Sequence, residues 1–246
     1  MVGTVALWML LPLGVTVLGG LAAIRRPPGP RLTSGLQHFA AGIVIAAVCT
    51  EVVPEAIAKD HIWSVIVGFV IGVVLVMAVR ELSGEGPRRS GRTAVTAEDT
   101  PGVSLGMIVT TGIDLFIDGL LVGLGFTLAT ASGELLVIAV TFEVLFIAMS
   151  LAATMRSAGS KITRVLVMLC VLGLLVLLGG VLGTWVLVGS SSQFLAGLAA
   201  FATAALLYLV VEELLVEAHE RGETTMGSLM FFIGFGASLV LAMVLG

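Results

Sequence analysis

Asp114 and Asp118 sit four residues apart in TTGIDLFIDGLLVGLGF (110–126), with apolar residues on either side of both. At that spacing the two side chains leave the same face of a helix. A carboxylate taken into hydrocarbon costs about 2.5–3.5 kcal/mol on insertion scales, so a pair on one apolar helix must be compensated. Further acids lie in similar surroundings: Glu51 and Glu55, then Glu143, then Glu212, Glu213 and Glu217, with His219 just beyond. Glu51 with Glu55, and Glu213 with Glu217, repeat the spacing of four. No Lys or Arg stands in the interior of these apolar runs. Acids without basic neighbours have two stable conditions: they keep their protons, or they hold a bound cation. Both suit a cation pathway, and competition between them makes binding pH-dependent.

The elements that must position these acids are membrane spans. Of the 246 residues, 58% are hydrophobic and 11% charged, and the mean hydropathy is +1.16, far from the composition of a soluble domain. Apolar runs long enough to span recur along the chain and predict an all-α membrane protein. Eight helices are expected, at roughly 3–24, 33–57, 63–80, 103–130, 134–156, 162–188, 193–217 and 225–246. The breaks carry turn chemistry: RRPPGP (25–30), KDH (59–61), ASG (131–133), RSAGSK (156–161), GSSSQ (189–193) and HERGET (219–224). SGEGPRRSGRTAVTAEDTPG (83–102) is the one long polar stretch and reads as a flexible loop within a single transmembrane domain, 1–246. Val2–Ile24 has no basic residue before it and is long enough to span, so it reads as a span and not as a leader.

With eight spans, eleven of the twelve Lys and Arg residues fall at the connections after the odd-numbered helices, and only Lys59 falls on the other side. That bias places the odd connections, including 83–102, in the cytoplasm of a cell membrane, and both termini outside. The second, fourth, fifth and seventh helices carry the acids and are expected to surround the pathway; the others face lipid. Asp114, Asp118 and Glu143 then lie near the midplane, with Glu51 and Glu55 toward the outer mouth and Glu213 and Glu217 toward the cytoplasmic one. AAGIVIAAVCTEVVPEA (40–56) also lines up with TAALLYLVVEELLVEA (203–218), matching Glu51 to Glu213 and Glu55 to Glu217. Those helices run in opposite directions, as in an inverted repeat of helices 1–3 and 6–8.

Other residues have plainer readings. Cys49 and Cys170 lie inside apolar runs and read as small packing residues, and the methionines as gap fillers. His38 reads as an interfacial or capping residue and His61 as a loop residue. Pro54 bends its helix and frees a carbonyl. No basic patch with interleaved aromatics points to nucleic acid. A homodimer is left open.

These motifs resemble those of the ZIP (Zrt-, Irt-like protein) family of divalent-metal transporters. DLFIDGLLVG (114–123) is similar to the family's fourth-helix motif, H-N-x-x-D/E-G, and LYLVVEELLVEAHE (207–220) to its seventh-helix pattern, L-[FY]-V-x-x-x-E-x-x-P-E. TEVVPEAI (50–57) has the character of its second helix. The resemblance spans most of the chain. It implies import of Zn²⁺, Fe²⁺, Mn²⁺ or a related ion into the cytoplasm, with the ion as cargo and no resident cofactor. The chain departs from the family at the ligands. Asp114 stands at the His position and Leu115 at the Asn, while Asp118 keeps the acid. On the fifth helix, AVTFEV (139–144) covers H-E-x-P-H-E or the variant Q-D-x-P-E-G, and only Glu143 remains as a ligand. What the resemblance then implies is one all-oxygen site of Asp114, Asp118 and Glu143, with Glu213 as a fourth member. Glu51, Glu55, Glu212, Glu217 and His219 line the route. Oxygen ligands suit Mn²⁺, Mg²⁺ and Ca²⁺, and zinc also accepts carboxylates.

An enzyme is not expected. An intramembrane aspartyl protease needs acids on facing helices, and both central Asp lie on one helix. A zinc protease would want H-E-x-x-H, which HERGE (219–223) lacks. The alternative to a metal transporter is a proton-coupled or other cation carrier of similar architecture without transition-metal specificity.

Overall fold

In hydrocarbon a lone segment of this kind satisfies its own backbone only as a helix. The computed structural model describes residues 2–82, 105–216 and 225–245, and no strand occurs among them. Val2–Trp8 (α1) and Leu10–Arg25 (α2) form one apolar run with Met9 between them. Pro30–Ala47 (α3) continues through a π-helical segment, Val48–Val52, into Val53–Ala58 (α4), making one span. Ile62–Leu82 (α5), Leu105–Leu128 (α6), Thr130–Ser157 (α7) and Ile162–Leu187 (α8) follow. Ser192–Tyr208 (α9) continues into a second π-helical segment, Leu209–Leu214, and Thr225–Leu245 (α10) comes last. Among the described residues, seven helical runs are long and apolar enough to cross a membrane, and Ile62–Ala78 within α5 is a shorter apolar stretch. The protein is a multi-pass membrane protein.

Local chemistry sets the ends. Pro30 opens α3 at a position where its missing N–H costs nothing. The Phe194 N–H donates to Ser191 Oγ at 3.3 Å and caps α9. Past α7, Gly159 adopts φ 80°, the Ser160 N–H reaches back to Met155 O, and the Gly159 N–H to Arg156 O. That is a glycine C-terminal cap. The ASG turn expected at 131–133 is not there. α7 already starts at Thr130, and the break is one extended residue, Ala129 (φ −154°, ψ 148°). Gly133 instead allows close approach: the Phe126 ring of α6 lies where a side chain at 133 would stand. The loop expected at 83–102 lies outside the described residues.

Packing arranges the helices in strongly contacting pairs: α2 with α7, α3 with α10, α5 with α9, and α6 with α8. Small residues make this possible, since without a hydrophobic drive between helices it is close backbone approach that yields van der Waals contact. Gly119 of α6 and Gly179 of α8 each lie against the partner's backbone, and so do Gly42 of α3 and Gly234 of α10. The acid-bearing runs are the enclosed ones: they bury 56–67% of their apolar windows (Ser34–Ala58, Thr111–Leu128, Ser132–Ser157 and Ser192–Glu212). The runs Val2–Arg25, Ile162–Leu187 and Met226–Val244 bury 33, 39 and 17%.

Candidate metal centre

α6 and α7 form a tight antiparallel hairpin. Phe126 lies on Gly133, and a side chain at Gly125 would meet Leu136 and Gly133. Carried along the hairpin, that register sets Glu143 of α7 level with the turn of α6 between Asp114 and Asp118. The three carboxylates meet there, with one oxygen from each lying within 4.8 Å of the others. Asp118 is 2% and Glu143 3% exposed, and Asp114 is half-buried. Oxygens that flank one hard cation at about 2.3–2.6 Å stand at most about 5 Å apart, so the spacing fits a single ion held by all three. An all-oxygen donor set favours hard divalent ions over those that prefer imidazole or thiolate.

The remaining acids are spread along the bundle. Glu51 lies in the first π-helical segment, and its Oε2 accepts a hydrogen bond from Ser132 Oγ in the first turn of α7 at 3.0 Å. Glu55, one turn on in α4, pairs with Lys59 at 4.0 Å and is half-buried. Glu212 lies in the second π-helical segment and is exposed. Glu213 belongs to the same segment, but its side chain is outside the described set, as are Glu217 and His219 altogether. The structure thus brings together Asp114, Asp118 and Glu143, and the fourth member expected at Glu213 is not placed by it.

His38, expected at an interface or a cap, lies on α3. It is buried, with Nδ1 donating to the Ser34 carbonyl at 2.8 Å. Two further polar residues lie in the interior. Ser132 is helical and not part of a turn, and its hydroxyl donates to Glu51. Gln37 of α3 is fully buried. Gln37 stands beside His38 in the polar opening of its helix, TSGLQH (33–38), and repeats no pattern, so its burial shows only in three dimensions.

The π-helical segments change where side chains point. In the first, the Val53 N–H reaches Val48 O, and in the second the Leu215 N–H reaches Val210 O, each one residue further than in an α-helix. Pro54 follows the first, and its missing N–H accounts for part of the shift. The second has no proline and keeps the same geometry, with Val216 at the matching place. No family model matches the chain, and comparison with curated proteins finds no match.

Proposed function

We propose that this chain is a ZIP-type transporter carrying divalent metal cations, Zn²⁺, Fe²⁺, Mn²⁺ or a related ion, into the cytoplasm. The observation that carries the reading is the meeting of Asp114, Asp118 and Glu143 inside an enclosed apolar bundle, with their oxygens within 4.8 Å. Acids of like charge brought this close repel one another unless protons or a cation intervene, and a divalent ion answers all three at once. The reading takes α5 as the third of eight spans, places both termini outside, and lets Glu51 and Glu213 conduct the ion on either side of the centre.

The inverted repeat belongs to the same proposal. Exchanging the first three spans with the last three, and the fourth with the fifth, turns the α2–α7 pair into α8–α6 and the α3–α10 pair into α9–α5. All four are major contacts of the bundle. The same exchange matches the span that holds one π-helical segment, Val48–Val52, to the span that holds the other, Leu209–Leu214. On this arrangement the fourth and fifth spans, which carry the carboxylates, meet at the pseudo-two-fold axis, where transporters with inverted repeats hold their cargo.

The test is the melting temperature of the detergent-solubilised chain with Mn²⁺, Fe²⁺, Zn²⁺ or Cd²⁺ at neutral pH, paired with metal uptake into vesicles holding the purified protein. At least one ion is expected to raise Tm, since the unfolded chain has no formed site. A Tm indifferent to all of them, without metal uptake, would overturn the proposal in favour of a proton-coupled carrier.

A further inference from the structure

The inference concerns Gln37 and rests on the metal-transport reading. Gln37 is 0% exposed, and neither its Nε2 nor its Oε1 has a hydrogen-bond partner among the described residues. An amide buried in this way is costly, and in native proteins it marks a place where a water or an ion belongs.

The helix geometry says which way Gln37 faces. Gly35, Phe39 and Gly42 turn one side of α3 toward α10, where they approach Met230, Gly234 and the backbone at Phe231 and Phe235. A helix turns about 100° per residue, which puts Gln37 on the opposite side, in line with Ala41, Val44 and Val48. Those three are also buried. The depth follows from α7. Ser132 bonds Glu51, and the rings of Phe142 and Phe39 meet edge to face at 4.8 Å, so α3 and α7 run antiparallel in a known register. By the Phe39–Phe142 pair Gln37 comes level with Val144 of α7, and by the Ser132–Glu51 pair with Phe146, a range centred on Leu145. Through the α6–α7 hairpin, that is also the level of Asp114.

We propose that Gln37 is the site's neutral oxygen donor from the second span. Its Oε1 faces a divalent cation held by Asp114, Asp118 and Glu143, and binds the ion directly or through one of its waters. Hard divalent ions accept amide carbonyls alongside carboxylates. A neutral donor adds a ligand without adding charge, which suits an ion that must also leave.

The experiment is Mn²⁺ titration of the full chain in detergent, read as Tm and as the apparent Kd. Gln37→Leu is expected to weaken Mn²⁺ binding by about ten-fold or more, the range seen when partners around a metal are removed. It is also expected to raise the metal-free Tm, because it replaces an unsatisfied amide with an apolar side chain. Gln37→Glu should bind Mn²⁺ more tightly than wild type and with a steeper pH dependence. Should Gln37→Leu fail to fold, Gln37→Asn keeps the amide, withdraws its oxygen by one methylene, and should weaken binding several-fold. Unchanged Mn²⁺ affinity in Gln37→Leu, or in Gln37→Asn where that variant stands in, overturns the role of Gln37 and leaves the carboxylate site standing. A wild-type chain that binds neither Mn²⁺ nor the other metal ions removes both.

Discussion

Replacing one acid at a time separates charge from shape at the centre. Asp118→Asn and Glu143→Gln keep the volume of two buried side chains and remove the charge that offsets dehydration of a divalent ion. Each is expected to abolish saturable metal uptake and the metal-induced rise in Tm, and wild-type uptake by either would exclude that residue as a ligand. Asp114 is half-buried, with more room for an imidazole. Asp114→His should retain uptake and shift preference toward Zn²⁺, read as the ratio of Zn²⁺ to Mn²⁺ uptake, because nitrogen is the softer donor. Protons compete for the same oxygens, so metal affinity should fall as pH falls. At a metal concentration 100 times Kd the stabilisation is about 2.7 kcal/mol at neutral pH, and a ten-fold loss of affinity on acidification would cut it by about 1.4 kcal/mol. A Tm rise of constant size down to about pH 3, below the ordinary carboxyl range, would contradict carboxylate ligation. These acids were legible in the sequence because an acid in an apolar run is conspicuous. Gln37 was not, since an amide costs less to bury and its orientation depends on which helix packs on the other side of α3.

The proposed metal centre would depend on how closely α6 can approach its neighbours. A Cβ on Gly119 would overlap the Val176 carbonyl of α8, and this glycine directly follows Asp118. Gly119→Ala should therefore destabilise the protein by about 1–3 kcal/mol, as overpacking does, and weaken metal binding by moving Asp118. Gly236→Ala is the control: nothing lies within 4 Å of a Cβ there, and its Tm should match or exceed that of wild type. Equal Tm values for the two variants would contradict the α6–α8 packing. At the π-helical segments, Glu51→Gln and Glu213→Gln should slow uptake while leaving Mn²⁺ binding intact; wild-type rates in both would mean these acids only support the fold. Hydropathy located most helices to within a few residues, because length and apolarity are intrinsic to each segment. The α6–α7 junction was harder, since a glycine that admits a neighbouring ring reads in one dimension like a glycine that turns the chain. The π-helical segments were harder still. Pro54 hints at the first, but LVVEEL (209–214) carries no local mark, so that geometry arises from the packing of the bundle.

The whole molecule can sit in its membrane in one of two orientations. The helix directions are mutually consistent in the structure: α6 and α7 are antiparallel through the Phe126–Gly133 contact, and α5 and α9 are parallel, with Gly68 against Gly197 and Gly72 against Phe201. Fixing one connection therefore fixes them all. On the proposed eight spans, the eleven-to-one distribution of basic residues is expected to orient the molecule, because Lys and Arg resist translocation in short connections. Cysteine labelling tests this once the native thiols are removed, which matters because Cys49 and Cys170 are both exposed on the protein surface. Ser190 is a better outer probe than Ser191, whose hydroxyl caps α9 and whose loss would cost about 1 kcal/mol. A cysteine at Ser190 should react with a membrane-impermeant maleimide added outside intact cells. One at Ser90 should react only after the membrane is opened. Reaction of both from the same side would rule out eight spans, because an odd number of crossings would no longer separate the two positions. Reaction of each from the side opposite to that expected would keep the odd number of crossings between the two positions and reverse the orientation inferred from the charge bias.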